Sequence, residues 1–85
     1  ICGTGIGMAI AANKVKGIRA AEAYDEYSAK MSREHNDANV LTLSGKKISV
    51  KETINIAEIW LKTPFSNEER HDRRIRKIMH YESKK

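Results

Sequence analysis

The chain has 85 residues, 40% of them hydrophobic and 32% charged, and a net charge of +5 from 16 Lys+Arg against 11 Asp+Glu. This length holds one small domain at most and buries a smaller share of its surface than a typical domain, and the lone cysteine excludes an internal disulfide. No apolar run approaches a membrane span and no secretory leader pattern is read, so a cytoplasmic protein with no membrane partner is the expectation.

The first stretch, Ile1-Cys2-Gly3-Thr4-Gly5-Ile6-Gly7, runs into the alanine-rich segment Met8–Lys14. It reads as strand end, glycine loop and helix, because glycine permits sharp turns and alanine is the best helix former. The free N–H groups of a first helical turn suit a phosphate or an oxyanion. The GxGxG spacing is neither the dinucleotide nor the P-loop pattern, and a tight turn without a ligand explains it as well. Cys2 sharpens the reading, since a thiol near a helix N-terminus can become a useful thiolate. As a small buried hydrophobe it needs no such role.

Gly17 is placed to end this first helix, and residues 18–23 form a strand candidate weakened by its alanines. Asp25 can cap a helix running to about Glu34, with Tyr27 and Met31 one turn apart as core contacts. His35–Asn39 breaks that helix with turn formers, and Val40–Leu43 is the clearest strand. The loop Ser44-Gly45-Lys46-Lys47 follows at its carboxyl end, where ligands bind in open α/β sheets. Ser49 and Glu52 predict a capping box, and Val50, Ile54, Ala57 and Leu61, widened by Ile59 and Trp60, predict the buried face of that helix. Pro64 stops it. Ser66 and Glu69 predict a second capping box opening a basic helix over about 67–85, with Ile75, Ile78 and Met79 as its apolar residues. The alternation of strands and helices predicts an α/β fold with a parallel sheet, whose further strands are expected before Ile1.

Cys2, Thr4, His35 and Asn36 are the polar groups at the ends of predicted elements, and histidine is the natural acid/base near neutral pH. A histidine in a turn is also an ordinary surface residue. Arg70 and Arg74 share a helix face and form either a phosphate clamp or a solvated stripe. Residues 1–69 carry nine basic and nine acidic side chains, whereas residues 70–85 carry seven basic ones against Asp72 and Glu82. The basic tail suits an anionic partner, but no nucleic-acid motif is present and aromatics are scattered. One cysteine and three dispersed histidines lack metal-ligand spacing, so no metal is expected.

Together, Cys2–Gly7, Ile10–Lys14, Gly17–Ala20, Ser28–Lys30, Arg33–Leu41, and Arg70-His71 with Arg74 resemble ribose-5-phosphate isomerase type B, a family grouped with galactose-6-phosphate isomerase. The resemblance covers essentially the whole chain but only the C-terminal part of the family's longer sequences. It implies a Rossmann-like three-layer sandwich, here lacking its first strands, with residues 1–85 the C-terminal part of one domain. It implies an aldose–ketose isomerase of the pentose phosphate pathway that interconverts ribose 5-phosphate and ribulose 5-phosphate without cofactor or metal. It further implies a homodimer, sometimes a tetramer, with active sites at the interface. Carried over, Cys2 is the base between C1 and C2. Thr4 and the N–H groups around Gly3, Gly5 and Gly7 stabilise the enediolate. His35 assists ring opening beside Asn36, and Arg70 and Arg74 hold the phosphate.

Lys46 stands where the family commonly has arginine; it keeps the charge and loses the fork. Glu22 lies where the family is usually apolar, and the 85 residues lack the segment that supplies an Asp/His pair to the site. An isomerase of a six-carbon sugar phosphate and a non-catalytic module that binds a phosphate ligand are the alternative readings.

Overall fold

The computed structural model describes residues 1–85 and orders the elements as α1 (Ile6–Ala12), β1 (Ala20–Glu22), α2 (Glu26–Glu34), β2 (Val40–Thr42), α3 (Val50–Lys62) and α4 (Glu69–Ser83). The two strands pair in parallel, with Ala20 opposite Val40, Ala21 opposite Leu41 and Glu22 opposite Thr42. A parallel pair needs a crossover, and α2 provides it. On the other side of β2 a single parallel bridge joins Cys2 to Ser44. Cys2 and Ser44 therefore lie at the carboxyl end of the strands, and His35–Asn39, which leads into β2, lies at the amino end.

Asp25 caps α2 as expected, its carboxylate accepting the Ser28 N–H at 2.7 Å while the Ser28 hydroxyl accepts the Asp25 N–H in return. Ser49 caps α3 by accepting the Glu52 N–H at 3.1 Å, but the Glu52 carboxylate accepts from the Ser49 hydroxyl rather than from its backbone N–H. α3 stops at Lys62, ahead of Pro64.

Several expectations are corrected. α1 ends at Ala12, not at Gly17, because the Asn13 amide bonds Ala20 on both sides, donating to its carbonyl at 2.9 Å and accepting its N–H at 2.7 Å. This ties the helix end to the start of β1, and Gly17 (φ +83) serves the turn that follows. Tyr27 is 70% exposed; Ala29 and Ser32 face inward instead, small side chains that let α2 approach its neighbours closely. The capping box expected at Ser66 is absent: α4 begins at Glu69 with Glu68 at its cap, and the Ser66 hydroxyl faces His71.

The core consists of Ala23, Ala29, Leu43 and Ile56, with Leu41, Ile48, Ile59 and Trp60 packed around it. Ile56, only 1% exposed, carries the inward face of α3 with the expected Ile59 and Trp60 packed beside it, whereas Val50 (78% exposed), Ile54 and Leu61 (75%) of the expected stripe face outward. α3 has two apolar stripes and uses the one that meets α2. The accessible surface of 5800 Å² exceeds the roughly 5,100 Å² typical of a monomer of this mass. Apolar faces therefore remain uncovered in the single chain.

Candidate active site

At the carboxyl end of the strands the loop is fastened to β2 by its own backbone. The Cys2 N–H donates to the Leu43 carbonyl, the Gly45 N–H donates to the Cys2 carbonyl at 2.7 Å, and the Lys46 N–H reaches the Gly3 carbonyl. Two buried hydroxyls complete the seat: Ser44 donates to the Gly3 carbonyl at 2.7 Å and Thr42 to the Gly5 carbonyl at 3.0 Å. Gly5 turns the chain with φ +82, and a Cβ there would lie 2.9 Å from a Glu22 carboxylate oxygen and 3.0 Å from the Leu43 carbonyl carbon. Glycine is required there on both grounds.

The turn curls the next amides around the thiol. The Cys2 Sγ accepts the Gly5 N–H at 3.2 Å. The amide of Met8 does most to hold the thiol pKa below its ordinary value; partial burial opposes it, and the amides of Gly5, Thr4 and Gly7 reinforce it. Thr4 stands beside the thiol with its hydroxyl oxygen accepting the Ile6 N–H at 3.3 Å, which leaves its hydroxyl proton free to donate. The Lys46 stem lies across Gly3, 3.6 Å from where a Cβ would be, so its ammonium sits at the loop's mouth. A thiolate base, a row of N–H donors and a nearby cation can together take a proton from carbon next to a carbonyl and steady the resulting oxyanion.

The remaining expected residues gather at the amino end. His35 closes α2, its N–H donating to the Met31 carbonyl at 2.9 Å. Asn36 follows, and Asp37 adopts a left-handed turn (φ +46). Two arginines fix that turn. Arg19 donates to the carbonyls of Asn36 and Asp37, and Arg33 donates to the Asp37 carboxylate at 2.9 Å, the Ala38 carbonyl at 2.6 Å and the Thr63 carbonyl at 3.0 Å. Through the Ser66 N–H, which donates to the Glu34 carbonyl, the start of α4 is brought alongside, and Arg70 and Arg74 project from its first turns as exposed side chains.

One chain thus holds its candidate residues in two separate groups. Cys2, Gly3, Thr4, Gly5, Gly7 and Lys46 are together at one end; His35, Asn36, Arg70 and Arg74 are together at the other. Between them lies at least the run from Val40 to Ser44, roughly 13 Å at ~3.3 Å per residue. The sequence reading missed His71 and Ser66. His71 is buried, its ring centroid 4.2 Å from that of His35. The sequence signals were His71 beside Arg70 in the resemblance, to which no role was given, and Ser66 five places before it, which read as a helix cap.

The family described as ribose/galactose isomerase matches residues 1–78. YwlF of Bacillus subtilis, named as a candidate sugar phosphate isomerase, is 56% identical over 99% of this chain and 56% of its own length. Type B ribose 5-phosphate isomerase of Trypanosoma cruzi superposes with a TM-score of 0.97 at 52% identity, over 99% of this chain and 56% of that one. Ribose-5-phosphate isomerase B of Mycoplasma genitalium, solved with bound ribulose 5-phosphate, gives a TM-score of 0.95 at 46% identity, over 99% and 55% of the two chains. The Rossmann-like α/β architecture is that of these neighbours. The chain spans about half the length of the relatives it matches.

Proposed function

Because the chain belongs to the ribose/galactose isomerase family, we propose that it is part of an enzyme interconverting ribose 5-phosphate and ribulose 5-phosphate through an enediolate. The observation that carries this is the Cys2 thiol held by the loop amides. In the open-chain aldose the Cys2 thiolate takes the C2 proton, and the electron pair moves onto the carbonyl oxygen. Thr4 and the loop N–H groups steady that oxygen where its charge develops. The O2 hydroxyl proton passes to O1, and the proton held by Cys2 returns at C1 to give the ketose, so the step needs no oxidant or reductant.

His35 opens the closed sugar ring, with Asn36 beside it, and Arg70 and Arg74 hold the phosphate so that C1 and C2 are presented to the thiol. One chain sets these groups at the far end of the strands from Cys2, so a complete site takes its loop from one protomer and its His35–Arg70–Arg74 group from its partner. A homodimer, or a tetramer built of such dimers, is the assembly this reading needs. The ribulose 5-phosphate bound by the Mycoplasma genitalium relative supports a five-carbon substrate. A cytoplasmic setting, where a lone thiol stays reduced, suits the same reading.

Turnover of ribose 5-phosphate by the full chain tests the proposal. Cys2→Ala is expected to lower kcat/KM by roughly 10³-fold or more, because the proton-moving group is gone. Undiminished turnover in that variant would remove Cys2 as the base, and no turnover by the full chain would remove the function.

A further inference from the structure

His71 is the only ionisable side chain among the buried residues, at 3% exposure. A buried imidazole is costly unless its polar atoms are paired, and an apolar residue would fill this helical position at no such cost. Nδ1 of His71 lies 2.7 Å from the Ser66 hydroxyl, whose oxygen also accepts the Glu68 N–H at 3.2 Å. The Ser66 backbone is itself pinned to the Glu34 carbonyl, one residue before His35. The other feature of the ring is its face: it packs on His35 with centroids 4.2 Å apart and planes tilted by 32°.

We propose that His71 is a positioning residue for ring opening, a flat platform clamped by Ser66 that sets the orientation of the His35 imidazole toward the sugar ring oxygen. This rests on the reading of His35 above. Acid–base catalysis depends on geometry before it depends on proton affinity, and a rotatable half-buried imidazole needs a fixed face to be aimed. The platform is also kept neutral. Burial pushes the His71 pKa down first, and the nearby charges of His35, Arg70 and Arg74 push the same way against Glu68, whose carboxylate is 4.0 Å from Nδ1. A neutral ring does not repel His35 when His35 carries its proton.

The test uses the asymmetry of the two substrates. Ribose 5-phosphate is mostly a closed ring, whereas ribulose 5-phosphate stays open because its O5 carries the phosphate. In the reverse direction a released aldehyde closes its ring unaided. In the full chain, His71→Leu is expected to lower kcat on ribose 5-phosphate roughly tenfold while changing kcat on ribulose 5-phosphate by less than about twofold. His35→Ala should show the same asymmetry. His71→Phe, which restores a flat ring, should return the ribose 5-phosphate rate to within about threefold of the original. Ser66→Ala, which leaves both rings in place and carries the test if His71→Leu does not fold, should lower the ribose direction alone by a few fold. Equal losses in both directions, or no loss, would overturn the platform. If the full chain is active but His35→Ala loses both directions equally, ring opening by His35 fails and the platform fails with it. If the full chain converts neither sugar, the isomerase reading itself fails and takes the platform with it.

Discussion

The two ends of the strands hold their reactive groups by different means. At the carboxyl end the thiol is held by peptide N–H groups within six residues of it, and the loop carrying them is laced to β2 through carbonyls. At the amino end the turn at His35–Asp37 is held by side chains: Arg19 and Arg33 bond Asp37, and His71, itself bonded to Ser66, packs on the His35 ring. A backbone-built site tolerates side-chain change and fails when a Cβ is added where none fits. A side-chain-built site tolerates local change and fails when distant packing shifts. On the proposed reading, the amino end meets a thiol only in a second copy.

The sharpest way to break this comparison is to disable the two ends in different copies. Assayed on ribose 5-phosphate in the full chain, Cys2→Ala should be nearly inactive and His35→Ala strongly impaired. Mixed, unfolded and refolded together, they should regain about a quarter of the original activity, because half of randomly paired dimers are mixed and each has one intact site. Recovery is the signature of half-sites shared across a two-fold axis; mixtures no more active than their components would place both ends in one chain's site.

Next in size is Gly5→Ala. Its φ of +82 and the 3.0 Å approach to the Leu43 carbonyl carbon leave no room that a side-chain shift could create. A left-handed alanine costs about 1–2 kcal/mol before any clash is counted, so the variant should lose at least about 2 kcal/mol in denaturant unfolding. Stability equal to the parent would mean that the loop is not the rigid cradle described.

A smaller effect separates the two ends by pH. The loop amides hold the Cys2 pKa below its ordinary value, so the thiolate fraction rises with pH and levels off early. Alkylation by iodoacetamide, followed across pH, should show its midpoint below the ~8.5 of a free cysteine, and denaturation should move it back up. A native midpoint at or above the denatured one would contradict the role given to the amides. His71 also loses its proton at lower pH than usual, but there the cause is burial, which disfavours the charged form, rather than donors that favour it.

How much of this was legible in the sequence follows the same division. The loop, the Asp25 and Ser49 caps, the order of elements and the clustering of Lys46 with Cys2 were legible because each is fixed by neighbours a few residues away. What escaped was tertiary. Asn13 ends α1 early through a bond to Ala20; α3 turns Ile56 inward rather than Val50 and Leu61; Ser66 abandons a capping box to hold His71. In each case a local pattern offered two equally good solutions, and contact with a remote element chose between them. The separation of Cys2 from His35 was hidden for the same reason, since only strand direction assigns them to opposite ends.

Gly7 gives the smallest effect on folding and the cleanest separation of fold from chemistry. It lies in the first turn of α1, its φ is not positive, and a Cβ there would meet nothing within 4 Å. The fold therefore has no need of glycine at this position. Alanine is the better helix former by up to about 1 kcal/mol, so Gly7→Ala should leave the chain as stable or slightly more so. Its amide nevertheless faces the Cys2 thiol among the loop donors. If substrate must approach that backbone closely, a methyl group there will stand in its way, and KM for ribose 5-phosphate should rise severalfold, by roughly 1 kcal/mol of lost binding. A variant more stable than its parent and poorer at binding would show that this glycine serves the ligand and not the turn. Unchanged KM would confine the substrate to the other side of the loop, over Gly3 and Lys46.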